Sequence, residues 1–390
     1  MIRFLTSGES HGQGLQVILE GFPSGMQVDP VFLEQELARR RRGYGRGPRM
    51  QIEKDRLFIL GGVRNGISTG SPIGIILENT EWNLWKAALD PRNADPHVMN
   101  EKKVTCPRPG HADLPGAFKF HHGDIRDVLE RASARSTAAL TLAGTVARML
   151  LLALGVSVRG AVTSIGTESI LPPSDENGWE HAMSSSLGLP KEEDEKKVIA
   201  EISSASMEGE TLGGTFLLSA TGLPPGIGSY TQWDRRLDGR LAGAMMSIPG
   251  IKGVEIGEGF SLAGVKGSSA LDEILPSGDT WSRSTNRAGG IEGGMTNGEE
   301  ILVKVAMKPI PTLRKALRSV DLSTGHGVKA AYERSDVCAV PAACVVGEAM
   351  MSWVLAGGVM ERFGGDHLSE VMQRFEECCR RRENFFHEHG

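Results

Sequence analysis

The sequence contains few aromatic residues and few cysteines, and these shortages exclude several classes of protein. Aromatic residues make up 5% of the 390 residues, and the five cysteines are Cys106, Cys338, Cys344, Cys378 and Cys379. Their number is odd, two are adjacent, and their spacing is that of neither a metal site nor a disulfide scaffold. The opening residues, MIRFLTSGES, lack the basic and apolar segments of a signal peptide. We therefore expect a cytoplasmic protein in a reducing environment.

Long uninterrupted apolar runs are also scarce. The segments 137–156 and 341–360 are apolar enough to raise the question of a membrane, but each contains a charged residue, Arg148 and Glu348 respectively. An arginine at the centre of a bilayer costs about 2.5–3.5 kcal/mol. We therefore expect two buried helices of the core or of an interface, and no membrane partner.

The common nucleotide-binding and zinc-hydrolase motifs are absent from the sequence, although glycine is abundant. Glycine accounts for 50 of the 390 residues, roughly twice its average share in globular proteins. Each G-x-G lacks the third glycine of a Rossmann fingerprint, and neither a P-loop nor HExxH occurs. A phosphate-bearing ligand must therefore be held by side chains and by backbone N–H groups of local loops.

What the chain does contain is a high local density of arginine within a slightly acidic protein. The formal net charge is −5, yet six arginines and no acidic residue lie in the segment RRRRGYGRGPRM at 39–50. This density favours a small, multiply charged anion, because guanidinium groups bind carboxylate and phosphate. A solvated basic loop explains the same pattern. Nucleic acid fits less well, since the net charge is negative and Tyr44 is the one aromatic residue of the segment.

Two histidines lie in glycine-flanked segments, His11 in SGESHGQG and His111 in CPRPGHADLPG. Histidine in such a loop suits proton transfer, because its ordinary pKa lies near neutral pH and glycine lets a ligand approach the backbone. A structural or surface role is the alternative for each of them. The spacing of the two histidines does not match that of a metal site.

Two further segments place charged residues close to helices. LERASARSTA puts Arg131 and Arg135 four residues apart, which predicts that they share one helical face. They are either ligand-binding residues or surface residues, Arg131 pairing with Glu130 or Asp127. Asp336 precedes an apolar helix, where its carboxylate could act as a base or cap the helix.

The order of apolar runs and turns predicts an α+β fold rather than a regular alternation of strand and helix. Strands are expected at about 2–8, 15–23, 56–64, 71–79, 252–260 and 301–309, and helices at about 30–42, 124–154, 238–247 and 341–360. A surface excursion with one solvated helix is expected at about 171–211, and a polar C-terminal helix at about 369–390.

Seven short motifs, spread in order over residues 1–365, resemble those of the chorismate synthase family. They are SGESHG (7–12), RRRRGYGRGPRM (39–50), RPGHADL (108–114), RASARST (131–137), GGIEGGMTNG (289–298), MKPIPT (307–312) and RSD (334–336). The resemblance implies a single domain over 1–390, with two antiparallel β-sheets around central α-helices, and a homotetramer. It also implies a lyase of aromatic amino-acid biosynthesis. That lyase converts 5-enolpyruvylshikimate 3-phosphate to chorismate and phosphate by 1,4-anti elimination, and it requires reduced FMN.

The resemblance also implies roles for particular residues of this sequence. His11 would assist the departing phosphate, His111 would protonate the reduced flavin, and Asp336 would help to remove the ring proton. The implied flavin-binding residues are Arg131, Ala132, Ser133, Pro249, Gly250, Gly293, Lys308, Pro309, Ile310, Pro311, Thr312 and Arg334. The implied residues for binding substrate or NADP are Ser10, Arg40, Arg46, Arg49, Arg108 and Arg135, and no metal is implied.

The sequence departs from the family pattern at several positions. The family usually has Gln-Gly where Arg41 and Arg42 stand, so these two arginines are expected to face solvent. It usually has Glu at the position of Ser136 and Ala at that of Gly250. Some members of the family reduce their own flavin with NADPH, but the missing Rossmann fingerprint favours an external flavin reductase as the partner here.

Overall fold

Long helices and antiparallel strands build the protein, whose computed structural model describes residues 1–47, 56–333 and 336–389. The helices are α1 (Pro30–Arg41), α2 (Trp82–Leu89), α3 (Pro96–Lys102), α4 (Asp113–Phe120), α5 (Arg126–Ala132), α6 (Thr137–Ala153), α7 (Glu176–Ser184), α8 (Glu195–Glu208), α9 (Leu237–Met246), α10 (Gly267–Ala270), α11 (Val340–Phe363), α12 (Leu368–Glu383) and α13 (Phe385–His389). The strands are β1 (Arg3–Gly8), β2 (Gly14–Glu20), β3 (Arg56–Gly61), β4 (Val63–Arg64), β5 (Ile67–Ser68), β6 (Ile73–Glu78), β7 (Ser157–Ile165), β8 (Glu168–Ser169), β9 (Gly214–Thr221), β10 (Ile251–Ile256), β11 (Ile274–Ser277), β12 (Thr280–Arg283), β13 (Ile291–Glu292), β14 (Met295–Thr296), β15 (Ile301–Met307), β16 (Arg318–Val320) and β17 (Gly327–Lys329).

The longer strands form two antiparallel sheets. One sheet has four strands in the order β1-β2-β6-β3, and the other has five in the order β10-β15-β9-β7-β8. Along β2 the residues alternate, with Leu15, Val17 and Leu19 buried and Ile18 exposed. This two-residue period is that of a strand with one face on the core and the other towards solvent. The predicted α+β fold is confirmed.

The two long apolar helices, α6 and α11, lie between the sheets. α6 packs against β1 and β2, α11 packs against β7 and β9, and the two helices pack against each other. A Cβ atom on Gly144 would lie 2.1 Å from Ala349 O, so glycine permits this close contact. By length and composition α11 and the helical segment that includes α6 could cross a bilayer, but both are mostly buried within the protein. The expectation of buried helices is confirmed.

Helix α1 has the local signals that its sequence predicts. The Asp29 side chain accepts a hydrogen bond from Val31 N at 2.9 Å, and Pro30 occupies the first helical position. The helix ends at Arg41, and Arg42 has extended backbone angles. Its C-terminal turn carries the first arginines of the basic segment towards the middle of the molecule.

The expected continuous helix over 124–154 is wrong, because the chain breaks between α5 and α6. Ser133 has an extended ψ of 143°, and its side chain caps a short 3₁₀ turn at Ala134–Ser136. Arg131 and Arg135 therefore do not share a helical face. Arg131 is exposed and donates to Thr6 Oγ1 of β1 at 2.8 Å, whereas Arg135 is buried.

Two more expectations about helices need correction. Residues 171–211 contain two helices, α7 and α8, where one solvated helix was expected, and α8 buries Val198 and Ile202. An amphipathic helix can carry many charges on one face and still pack its other face on the core. The expected C-terminal helix over 369–390 ends at Glu383, and a second helix, α13, begins at Phe385.

Candidate active site

His11 lies in the loop between β1 and β2, where one carboxylate holds both its backbone and its ring. His11 N donates to Glu130 Oε2 at 2.7 Å, and His11 Nδ1 lies 2.8 Å from Glu130 Oε1. The ring stacks on Trp85 of α2, with centroids 4.2 Å apart. Because a carboxylate accepts at Nδ1, that nitrogen carries the proton of the neutral ring, and Nε2 is the nitrogen that can exchange one.

Glu130 is an ionised carboxylate inside the protein. Its residue is 3% exposed, and Arg126 Nη1 lies 3.6 Å from Oε1. Burial raises the pKa of the Glu130 carboxyl, but hydrogen bonds from His11 and the charges of His11 and Arg126 outweigh it and hold this pKa below its usual value. The ionised carboxylate therefore orients the His11 ring and its backbone.

His111 has the same arrangement at the N-terminus of α4. Its Nδ1 lies 2.5 Å from Asp113 Oδ1, and Arg108 Nη2 is 3.0 Å from the same ring nitrogen. Arg108 in turn donates from Nε to Asp113 Oδ2 at 2.8 Å and from Nη2 to Oδ1 at 3.0 Å. The carboxylate again fixes the ring orientation, and Nε2, which lies 3.4 Å from Arg108 Nη2, is the nitrogen that can exchange a proton.

Asp113 has no exposed surface, and its charge is compensated at several points. Besides the two side-chain bonds from Arg108, it accepts from Arg108 N at 3.0 Å. Burial raises the pKa of the Asp113 carboxyl, but the hydrogen bonds and charges of His111 and Arg108 outweigh it and hold this pKa well below its usual value. Such a fully hydrogen-bonded buried charge is costly to disturb.

Because the pKa values of the Asp113 and Glu130 carboxyls are lowered in the folded protein, we expect the protein to lose stability in acid. Their pKa values are lower in the folded chain than the 3.9–4.3 or so of unfolded Asp and Glu. Their stabilisation is therefore complete above about pH 5 and is lost as the pH falls through the lowered folded values. We expect the melting temperature to drop between pH 7 and pH 3, and the drop to be smaller in Asp113→Asn; an unchanged pH dependence in that variant would contradict this interpretation.

The His111 loop is tied to the segment that follows β15. Arg108 Nη1 donates to Thr312 Oγ1 at 3.1 Å, and Lys308 Nζ donates to Gly110 O at 2.5 Å. Lys308 N donates to Gly250 O at 3.0 Å, which brings the turn Pro249–Gly250 to the same place. Burial, and the nearby positive charge of Lys252, lower the pKa of the Lys308 ammonium. Two adjacent lysines in this position favour an anionic ligand group.

Of the predicted arginines, Arg135 reaches the His11 loop through Asn79, and Arg40 contacts Thr137 at the start of α6. Arg135 Nε donates to Asn79 Oδ1 at 3.1 Å, and Asn79 Nδ2 donates to Glu9 O and to Gly12 O, each at 2.9 Å. Arg40 Nη1 lies 3.3 Å from Thr137 Oγ1, two residues beyond Arg135. Buried guanidinium groups next to a histidine can bind a phosphate or a carboxylate.

Asp336 is held against the turn that follows α1. Arg46 Nη1 lies 3.0 Å from Asp336 Oδ2, and Gly47 N donates to Oδ1 at 2.6 Å. Of the two arginines expected to face solvent, Arg42 is exposed and Arg41 is half-buried. Arg49 and Arg334, both predicted to bind ligands, lie outside the described residues.

The remaining residues predicted to bind flavin, and Ser10, which is predicted to bind substrate or NADP, fall into separate groups. Ala132 and Ser133 lie at the break after α5, and the buried Ser10 donates from N to Glu130 O at 3.0 Å. Gly293 lies in the turn between β13 and β14, where Gly294 O accepts from Leu237 N at the start of α9. The turn Pro249–Gly250 follows the other end of α9, which is about 15 Å long at 1.5 Å per residue. The structure therefore brings Gly250 and Lys308 together and places Gly293 at the far end of that helix.

Three residues that position the site were not predicted from the sequence: Asp113, Glu130 and Asn79. Asp113 lies within the RPGHADL motif and two residues after His111, so a carboxylate partner could have been found there. Glu130 and Asn79 are 119 and 67 residues from the groups they bond, His11 and Gly12. Spacing along the sequence contains no signal for such contacts. Within the described ranges, no group of three His, Cys, Asp or Glu side chains could hold a metal ion.

Comparisons with known proteins agree with this geometry. The sequence profile of the family described as chorismate synthase matches residues 2–360. Chorismate synthase of Desulforudis audaxviator (strain MP104C) is 50% identical over 385 residues, which cover 98% of each chain. That of Desulforamulus reducens is 50% identical over 381 residues, covering 97% of this chain and 98% of the relative. A crystal structure of chorismate synthase superposes with a TM-score of 0.79 at 39% identity and covers 98% of both chains.

Proposed function

From the premise that the chain belongs to the chorismate synthase family and is a carbon–oxygen lyase of the shikimate pathway, we propose the reaction in detail. The protein converts 5-enolpyruvylshikimate 3-phosphate to chorismate and phosphate by 1,4-anti elimination, with reduced FMN as its cofactor. The observation that carries this proposal is the pair of histidines, each oriented by a buried carboxylate, next to buried arginines.

The leaving phosphate is the first requirement of the elimination. A C–O bond breaks, so negative charge grows on the phosphate oxygen in the transition state. Fixed guanidinium groups stabilise this charge without reorganising, and we assign this role to the buried residues Arg40 and Arg135. His11, oriented by Glu130, supplies a proton from Nε2 to the departing group. Ser10, Arg46 and Arg49 are proposed to bind the substrate as well, or NADP where it is used.

The second requirement is removal of a ring proton, which we assign to Asp336. Arg46 Nη1 and Gly47 N hold its carboxylate in place, and a carboxylate of this kind can act as the base. His111 would donate a proton to the reduced flavin when the flavin is bound, and Asp113, itself bonded to Arg108, keeps the His111 ring in place. Since Arg108 donates from Nε and Nη2 to Asp113 and from Nη1 to Thr312, we assign Arg108 a positioning role alongside its contact with ligand anions.

Reduced FMN fits the residues that the structure describes. An added Cβ at Gly293, whose φ is 59°, would have no neighbour within 4 Å, so ligand atoms can approach this turn. Lys308 and Lys252 provide positive charge for a phosphate. The residues that would hold the flavin are Arg131, Ala132, Ser133, Pro249, Gly250, Gly293, Lys308, Pro309, Ile310, Pro311, Thr312 and Arg334. When bound, the reduced flavin supplies an electron-rich ring beside the reacting bonds.

Assembly and cellular context follow from the same premise. We propose a single domain over 1–390, a cytoplasmic homotetramer, and reduced flavin supplied by an external reductase. The outer face of the four-stranded sheet supports an assembly, because Leu5, Ile18, Phe58 and Leu60 are exposed on it and Leu5 lies directly opposite Ile18. Exposed apolar patches of this kind favour contacts between proteins. Multi-angle light scattering of the purified protein measures the assembly directly.

An anaerobic assay tests the proposed reaction. Purified protein, FMN, dithionite and 5-enolpyruvylshikimate 3-phosphate are expected to produce chorismate, detected by its ultraviolet absorbance, with release of one phosphate per turnover. Oxidised FMN with NADPH in place of dithionite is expected to give no product until a flavin reductase is added. Failure to form chorismate with reduced FMN would contradict the proposed function, whereas turnover with NADPH alone would contradict only the external reductase.

A further inference from the structure

The two charges that interrupt the apolar helices, Arg148 on α6 and Glu348 on α11, contact each other in the core. Arg148 Nη1 lies 3.2 Å from Glu348 Oε2. Two residues of α1 complete a cluster: Arg39 donates to both oxygens of Glu348, at 2.7 and 2.9 Å, and Glu36 Oε2 accepts from Arg39 and from Arg148. We call Glu36, Arg39, Arg148 and Glu348 the core ion cluster.

The core ion cluster is neutral in total and joins four elements. Glu348 is 1% exposed, and the other three side chains are largely buried. Arg148 Nη2 also donates to Val158 O of β7 at 2.7 Å. The cluster therefore connects the C-terminal half of α1 to α6, α11 and β7. Stability alone does not explain why it is charged, because apolar side chains of similar volume often replace buried ion pairs without loss.

The strand next to the cluster leaves room for the Glu348 carboxylate. A Cβ atom on Gly160 of β7 would lie 2.9 Å from Glu348 Oε1 and 2.6 Å from Cys344 Sγ. A side chain at that position would force Cys344 or the Glu348 carboxylate to shift. The backbone of β7 thus holds Glu348 at a set place from one side, while Arg39 and Arg148 hold it from the other.

Arg39 of the core ion cluster directly precedes Arg40, which is predicted to bind the substrate. Arg39 points into the cluster, and the next residue, Arg40, reaches Thr137 Oγ1 at the start of α6. Adjacent residues of a helix point about 100° apart, so the rotation of α1 that seats Arg39 on Glu348 also sets the direction of Arg40. After α1 ends at Arg41, the chain runs directly into the turn that contains Arg46.

We propose that Glu348 and Arg148 are positioning residues for substrate binding. They hold Arg39, and through it the last turn of α1, so that the guanidinium of Arg40 and the turn with Arg46 face the anionic groups of the substrate. This inference rests on the proposed function, which assigns those two arginines to the substrate. A shift of about 1 Å in a binding group can change rates or affinities by up to about 100-fold.

The variant Glu348→Gln tests the proposal, because it keeps the shape of the side chain and removes its charge. We expect the KM for 5-enolpyruvylshikimate 3-phosphate to rise about tenfold or more, with kcat changed much less and the affinity for FMN unchanged. We also expect backbone amides of residues 36–46 to exchange hydrogen for deuterium faster than in the wild type.

Leu355→Ala is the matched control, since Leu355 is buried on the same helix, α11, and its side chain is outside the core ion cluster. It is expected to lower the melting temperature while the KM and the exchange of residues 36–46 stay at wild-type values. If Glu348→Gln acted only by destabilising the fold, both variants would change the KM and the exchange of residues 36–46 to a similar extent.

Arg39→Lys is the second variant, used if Glu348→Gln does not fold. It keeps the charge and loses the two-pronged contact with Glu348, so the same rise in KM is expected. The exposed Arg3, which pairs with Glu20, provides its control as Arg3→Lys. Wild-type KM and wild-type exchange in the folded variant would overturn the inference. Absence of turnover by the wild type would instead contradict the proposed function, and the exchange data would still decide whether the cluster holds α1.

Discussion

Replacing His111 with alanine is expected to lower kcat by about 10²–10⁴-fold, the range for loss of a general acid or base. The imidazole is the group that Asp113 orients at 2.5 Å, and alanine offers no nitrogen to hold or deliver a proton. Asp113 keeps its contacts with Arg108 at 2.8 and 3.0 Å, so the fold should persist. Chorismate formation with reduced FMN under anaerobic conditions, at saturating substrate, measures the effect.

His97→Ala is the control for this variant, because His97 is an exposed histidine of α3. It should retain activity within about twofold, since surface substitutions of this kind rarely disturb a distant site. Circular dichroism and light scattering should show both variants folded and assembled as the wild type is. A wild-type rate in His111→Ala would remove His111 from the reaction.

Replacing His11 with alanine is expected to have a second large effect, a loss of about 10²–10⁴-fold in kcat. Alanine has no imidazole to donate a proton to the departing phosphate, and its position lies in the loop that Arg135 reaches through Asn79. The loop should keep its conformation, because His11 N still donates to Glu130 at 2.7 Å and Asn79 still bonds Glu9 O and Gly12 O.

Glu130→Gln distinguishes the proton donor from the residue that orients it. The glutamine carries no charge and has one oxygen for the two hydrogen bonds that Glu130 accepts from His11 N and Nδ1, so the imidazole stays but is held less firmly. A smaller loss than in His11→Ala is expected, together with a changed dependence of kcat on pH. If His11→Ala turned over substrate at the wild-type rate, the departing phosphate would have to receive its stabilisation from the arginines alone.

Local patterns in the sequence predict much of the secondary structure. Asp29 and Pro30 place the start of α1 correctly, and the alternation of apolar residues places β2, because both signals depend on neighbours in the chain. The break at Ser133 was missed, since RASARST has no Gly or Pro and the 3₁₀ turn depends on a side-chain cap. Helix propensity is a weak guide where a polar side chain offers the backbone another hydrogen bond.

The candidate site is only partly visible in the sequence. Glycine-flanked motifs identify His11 and His111, and arginine density identifies the basic segment as a whole. The sequence suggests the carboxylate of Glu130 only as a surface partner for Arg131, but in the structure it bonds His11 from the buried face of α5. The distinction depends on which face of a short helix meets the β1–β2 loop, and that is a property of packing.

The sequence by itself determined that Arg148 and Glu348 belong to buried helices. A charge within an apolar run makes insertion into a bilayer costly, and the apolar side chains around it make exposure to solvent unfavourable. Only the tertiary structure decided that these two charges, 200 residues apart, neutralise each other. It also decided that Arg39 turns to the core and Arg40 towards the candidate site. Side chains that are consecutive in a helix point in different directions. The residues that each of them contacts lie on other elements of the fold, far away in the sequence.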